Sequence, residues 1–254
     1  MKLRTWIPAL VVLAIVGISG GTAMAEDDLL SQILDSEPAL GDILDRAADH
    51  RIQIVLGLVE EDADGRAVLV QHTFRAGAEY FYPASSVKLF AAVAAAQRLV
   101  ALREETGYAI NLDTHLMYRP LFDDDELEMD EPDNLDTGSI TVRQEIREIF
   151  LVSDNQAYNY LYEMVGQDGL TASLSAAGLD SPRIVHRLSE FRTPEEHRQL
   201  PEIVFIGLDF KYTLPQRTTD PLPPPEPVDR IMVGTAYYSD GELIEEPMDF
   251  STKN

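Results

Sequence analysis

Ser85 and Lys88 stand three positions apart at the head of an apolar, alanine-rich run, Leu89 to Val100, and are the residues of this chain best suited to covalent chemistry. A serine hydroxyl is a poor nucleophile until a neighbouring base takes its proton. On a helix, positions i and i+3 share a face and i and i+2 do not, so Lys88 can face Ser85 while Ser86 is turned away. Burial in an apolar helix and closeness to its N-terminus both lower a lysine pKa, favouring the neutral amine that a base requires. By itself the S-x-x-K spacing is a weak signal, because serine is also an ordinary helix N-cap. A second polar cluster, Ser153-Asp154-Asn155, follows downstream.

These residues need rigid elements to hold them. The run from Leu89 to Val100 is apolar nearly all round, which predicts a buried helix at the centre of its domain. A second helix is predicted from Thr141, with Gln144 as the other half of a capping box. Val142, Ile146, Ile149 and Phe150 form its buried face. It stops at Ser153-Asp154-Asn155, and the helical pattern resumes through Ala157, Tyr160, Leu161, Met164 and Val165 to Gly166. A third piece runs from Leu170 to Ala177 and ends at Gly178. The S-D-N turn is thus held between packed helices, a rigid mount for polar groups.

Upstream, residues 27–49 read as two short helical pieces broken at Pro38 and Gly41. Ile52–Val59 and Ala67–Phe74 read as a hairpin around Asp62-Ala63-Asp64-Gly65. Residues 120–138 carry nine acidic side chains without EF-hand spacing and read as a solvated loop. Leu214 to Arg230 holds six prolines, which exclude helix and inner strand and leave a linker or long loop. Residues 231–254 are expected to form a final hairpin of the same domain, around Ser239-Asp240-Gly241.

Composition narrows the function classes. Met1 to Ala25 has a basic start, a short apolar centre and an A-x-A exit, the pattern of an export signal removed after Ala25. The expected location is therefore secreted or periplasmic, with no stable membrane span after cleavage. There is no cysteine, so disulfides and thiolate metal sites are excluded. A net charge of −24 argues against nucleic acid as a partner. The five histidines show no H-x-x-x-H spacing, so a zinc hydrolase is not supported and no metal or other cofactor is expected.

Taken together, S-x-x-K at Ser85–Lys88 and S-D-N at Ser153–Asn155 resemble the serine β-lactamase and penicillin-binding protein superfamily, closest to class A β-lactamases. The flanks Phe81-Tyr82-Pro83-Ala84, Thr141-Val142-Arg143-Gln144-Glu145, Gln156–Leu161 and Gly169-Leu170-Thr171 are similar too, and the resemblance spans residues 50–190. It implies an α+β, β-lactamase/transpeptidase-like fold over residues 26–213, a helical region packed on an antiparallel sheet. It also implies an acyl-enzyme on Ser85, with Lys88 as base and Ser153 as proton relay. Asn155 would bind the substrate's acylamino group, Asp154 would brace the turn, and the Ser85 N–H would be one oxyanion donor. The substrate would be a β-lactam or a cell-wall peptide. The alternatives are a D-Ala-D-Ala carboxypeptidase or transpeptidase, and a non-catalytic peptide-binding protein on the same fold.

Two departures from that pattern stand out. K-T-G is missing, Lys211-Tyr212-Thr213 being a poor match, which leaves either a truncated reading frame or an incomplete site. For deacylation, Arg187-Leu188 resembles the lead-in to the catalytic glutamate, but the expected position falls near Arg192. Glu190, Glu195 and Glu196 are the nearby candidates, none in clear register.

Overall fold

The computed structural model describes residues 23–24, 29–125, 138–223, 232–239 and 241–249. Most of the predicted export signal, acidic residues 126–137 and proline-rich residues 224–230 lie outside the described residues. The chain falls into two compact units, Met1–Phe81 and Tyr82–Asn254, each taken by itself below.

In the first unit, β1 (Ala23–Met24), α1 (Leu29–Asp35) and α2 (Gly41–Leu44) precede a hairpin of β2 (Ile54–Glu61) and β3 (Ala67–Phe74). A 3-10 turn at Pro38–Leu40 separates the two helices, as the proline and glycine predict. The hairpin runs antiparallel from Ile54 opposite Phe74 to Glu61 opposite Ala67. Its loop is closed by Asp62 Oδ1, which accepts the N–H groups of Asp64 and Arg66. Gly65, at φ 77°, takes a left-handed turn that glycine enters without steric cost. β1 adds to β3 in parallel, giving a three-stranded sheet of order β1-β3-β2.

The second unit is built around α3 (Val87–Thr106) and α5 (Asn155–Ala176), which pack on each other, with α4 (Val142–Val152) against α5. Ala91, Ala95, Leu99 and Leu102 of α3 and Tyr160, Leu161, Met164 and Leu170 of α5 are buried in one core. The small alanines let the two helices approach closely, while the larger residues of α5 fill the remaining volume. Among the described residues one helical stretch, Ala84–Thr106, is long and apolar enough to cross a membrane, a test that a core helix also passes. α3 ends on Gly107, left-handed at φ 72°, whose N–H bonds the Arg103 carbonyl. α5 breaks at Gly166, at φ 85° and ψ 161°, where a Cβ would lie 2.7 Å from Asp168 Oδ1 and 2.9 Å from Leu200 Cδ1. The two helical pieces expected on either side of Gly166 are thus one kinked element.

Beside the helices, β4 (His115–Tyr118), β6 (Ile203–Ile206) and β7 (Lys211–Leu214) form an antiparallel sheet of order β4-β6-β7. Leu116, Tyr118, Ile203 and Phe205 join the helical core, and buried Tyr118 donates its hydroxyl to the Tyr160 carbonyl at 2.8 Å. The architecture is α+β, helices with antiparallel sheet, as the resemblance implies.

α6 (Pro194–Arg198) has a complete Thr193/Glu196 capping box. β5 (Gln199–Leu200) pairs with β8 (Arg217–Thr218), so the described start of the proline-rich run carries a short strand. Near the end, β10 (Tyr237–Ser239) pairs with β11 (Glu242–Ile244), and β9 (Met232–Val233) pairs with β12 (Met248–Asp249).

Candidate active site

Ser85 sits in a 3-10 turn, Ala84–Ser86, that leads directly into α3. Backbone N–H groups in a first turn have no preceding carbonyl within the helix, so they are available to an oxygen from outside. Ala84 is forced to φ 47°, a left-handed conformation costing an L-residue roughly 1–2 kcal/mol. Ser85 is exposed, and its hydroxyl makes no hydrogen bond to the described residues. Ser86, by contrast, spends its hydroxyl on the Pro83 carbonyl at 2.6 Å.

Lys88 is only 2% exposed. Its Nζ donates to the Ser153 carbonyl at 2.5 Å and lies 3.1 Å from Ser153 Oγ. Desolvation pushes its pKa below the ordinary lysine value, against a smaller upward pull from the Asp154 carboxylate. The structure thus brings Lys88 to Ser153, while Ser85 shares its helical start without a bond to it.

The S-D-N residues divide the work of a helix junction. Thr141 opens α4 by accepting the Gln144 N–H at 3.2 Å. The reciprocal half of the expected capping box is replaced, since the Gln144 amide donates to Glu148 at 2.5 Å. Ser153 closes α4 in the left-handed region, at φ 58° and ψ 43°. Asp154 caps α5, accepting the Ala157 N–H at 2.8 Å. Asn155 begins α5 and its Nδ2 donates to Ser189 Oγ at 2.6 Å.

Ser189 belongs to a strap, residues 186–192, that crosses the start of α5. Asn159, one turn after Asn155, also holds it: Oδ1 accepts the Leu188 N–H at 2.8 Å and Nδ2 donates to the Leu188 carbonyl at 3.0 Å and to Glu190 Oε1 at 2.8 Å. Ser189 is itself left-handed, at φ 59°. Of five non-glycine residues with positive φ among those described, Ala84, Ser153 and Ser189 touch or flank this site, and such strain concentrates at functional positions.

Within the strap, Arg187 is almost wholly buried and donates to Glu163 Oε1 at 2.8 Å and the Gln199 carbonyl at 2.8 Å. Burial raises the Glu163 pKa to about 7 despite that guanidinium. His197 accepts the Arg187 N–H on Nδ1 at 3.2 Å, and burial with the adjacent Arg187 charge lowers its pKa to about 4.

The three candidate carboxylates have separate occupations. Glu196 caps α6 with Thr193. Glu195 is exposed and pairs with Arg198. Glu190 takes the Asn159 amide on one oxygen and lies 3.7 Å from Arg187 and 3.5 Å from Arg192 with the other. Desolvation raises its pKa, against both arginines. Arg192, near the expected glutamate position, instead pairs with Asp124 and Asp125. Two members of the acidic run are therefore engaged rather than simply solvated. Lys211-Tyr212-Thr213 lies on β7.

Sequence reading did not single out Asn159, Ser189 or Arg192. The Asn155/Asn159 spacing of four on one helix is a usable signal for the first. Ser189 and Arg192 carry none, because Asn155, Asp124 and Asp125, which they meet, are remote in the chain. No group of three or more potential metal ligands occurs among the described residues.

Comparison with curated proteins yields no match. A family model described as "Beta-lactamase enzyme family" matches residues 55–208, more than half of the chain, from β2 to just past β6. That span includes Ser85, Lys88, the S-D-N junction and the strap. The chain belongs to the beta-lactamase enzyme family.

Proposed function

We propose that this protein is an exported serine hydrolase, similar to class A β-lactamases, that opens β-lactams through an acyl-enzyme on Ser85. The observation that carries the reading is Lys88: a buried amine with a depressed pKa, bonded to the Ser153 hydroxyl and one helical turn from Ser85, whose own hydroxyl is unengaged among the described residues. Ser85 Oγ attacks the lactam carbonyl carbon as its proton passes to neutral Lys88. Lys88 returns a proton through Ser153 to the ring nitrogen, which leaves as the C–N bond breaks. The product is an ester on Ser85 and a secondary amine. The first-turn N–H of Ser85 offers one donor to the carbonyl oxygen as it gains charge. Asn155 faces the acylamino group and Asp154 keeps the junction in shape. After cleavage at Ala25 the protein acts outside the cytoplasm, without a membrane span.

The engagement of Glu190, Glu195 and Glu196 favours a second reading, in which water is poorly activated and the ester persists. That is the behaviour of a penicillin-binding D-Ala-D-Ala peptidase or a cell-wall-peptide receptor.

Intact-protein mass spectrometry after incubation with benzylpenicillin tests both. A gain of one penicillin mapped to Ser85 is expected. Decay within minutes supports the β-lactamase and persistence over hours supports the second reading. A folded protein without an adduct overturns acyl-enzyme chemistry.

A further inference from the structure

The strap is held over the start of α5 by polar contacts at both ends and lacks apolar anchorage beyond Leu188. Leu188 packs against the core, but Phe191 is fully exposed. At its inner end the strap is bonded by Asn155 and Asn159. At its outer end stands Arg192, whose side chain is 11% exposed. Its Nη1 donates to Asp124 at 2.7 Å and its Nη2 to Asp125 at 2.9 Å, and its Nε lies 3.5 Å from Glu190 Oε2. The guanidinium carbon lies 4.2 Å from the centre of the Phe122 ring, at cation–π distance. Asp125 is pre-set for this, since its other oxygen accepts the Leu121 and Phe122 N–H groups at 2.7 and 2.9 Å. Fork donors, three carboxylates and a ring together over-determine one guanidinium position.

The geometry points to Arg192 as a positioning residue for Asn155, acting by clamping residues 189–192 to the Leu121–Asp125 segment so that Ser189 stays within reach of the Asn155 amide. The chain of contacts is continuous: Asp124 and Asp125 hold Arg192, Arg192 holds Glu190, Glu190 meets Asn159, and Ser189 between them meets Asn155. An Asn carboxamide can flip and rotate, and one N–H fixed on Ser189 leaves the other in a set direction. Arg192 touches no reacting atom. Its effect falls on whatever uses the Asn155 amide, which under the reading proposed above is the substrate's acylamino group.

The test uses the full chain with Arg192→Gln, which removes the charge, and Arg192→Lys, which keeps it without the fork. Two readouts are taken: the Asn155 side-chain amide signal in 15N-Asn-labelled protein, assigned with Asn155→Asp, and the second-order rate of Ser85 acylation. Rates are compared for benzylpenicillin and for its nucleus bearing a free amine in place of the acylamino group. Expected in Arg192→Gln is a displaced Asn155 signal and a loss on the order of 10-fold for benzylpenicillin, with the nucleus nearly unaffected. Arg192→Lys falls between. Raising salt moves the parent protein part of the way toward Arg192→Gln, because Asp124 is exposed and screened, and leaves Arg192→Gln unchanged.

An unmoved Asn155 signal with equal losses on both substrates overturns the inference. If Arg192→Gln does not fold, Arg192→Lys and the salt series decide by the same criteria. If the parent protein is never acylated, the proposed function falls, and the Asn155 signal alone decides whether Arg192 positions it.

Discussion

The two sides of the candidate site are held by different forces. On the Lys88–Ser153 side every fixed atom belongs to a helix end: the first turn of α3, the left-handed close of α4, the cap of α5. Lys88 enters that framework as the one charge in a buried helix face and meets a backbone carbonyl. On the strap side almost every contact has a charged or amide side chain as one partner, and partners lie up to 68 positions apart. The first side is set by backbone geometry and desolvation, the second by charge. Mutation, pH and salt should therefore act on them differently.

The largest expected effect is on the backbone-set side. Lys88→Met keeps the volume and removes the proposed base, and should slow Ser85 acylation by about 10²–10⁴-fold while the melting temperature holds within a few degrees. Stopped-flow acylation with a chromogenic β-lactam measures it. A variant acylated as fast as the parent breaks the assignment of Lys88.

On the charge-set side, Arg187→Ala leaves the Glu163 carboxylate in a desolvated site without its 2.8 Å partner, which should cost about 3–5 kcal/mol of stability. Urea unfolding reads this directly. If the loss stays below about 1 kcal/mol, a typical surface pair, the strap does not depend on its buried arginine.

pH separates the sides further. His197 has a folded pKa near 4, below its ordinary 6.5, so the unfolded chain takes the proton first as pH falls. Its contribution is present above about 6.5 and drains away toward about 4. Glu163, raised to about 7, works in the opposite sense, destabilising the fold as pH rises from its ordinary value of 4.5. His197→Asn retains an acceptor for the Arg187 N–H. The difference in melting temperature, variant minus parent, should climb as pH drops from about 6.5 to about 4; a flat difference contradicts the burial of a neutral His197.

The smallest effect distinguishes two jobs of Asp154. Asp154→Ala removes the α5 cap, costing about 1 kcal/mol. Asp154→Asn keeps a capping oxygen but deletes the charge that raises the Lys88 pKa. Neutral Lys88 then survives to lower pH, and the rising limb of acylation against pH should shift in the acid direction. An unchanged limb shows that Asp154 acts on the turn alone.

The same division explains what could be read in advance. Helix caps, the glycine kink of α5, the β2–β3 hairpin and the buried face of α3 follow from local spacing, and local spacing is visible in one chain. The S-x-x-K and S-D-N signals belong to that class, since each is a short run at a helix end. Arg192 is not of that class: nothing near it in sequence announces Asp124 and Asp125, which read as part of a solvated acidic run. β4, β6 and β7 are equally hidden: each is only four residues long, and although β6 and β7 form a local hairpin, β4 pairs with β6 from far back in the chain. Gln144 shows the limit of motif reading, because Glu148 competes for its amide.

Ser153 has a consequence for how such a chain can change over time. A left-handed backbone suits glycine, whereas a proton relay at that position needs a hydroxyl. Replacement by glycine would relax the turn and keep the Lys88 bond to the carbonyl, so folding would hardly suffer. A library screened only for soluble, folded protein should drift toward glycine at 153, and likewise at 84 and 189. One screened for acylation should hold serine at 153 against that drift, and the gap between the two outcomes measures how much stability the proposed relay costs.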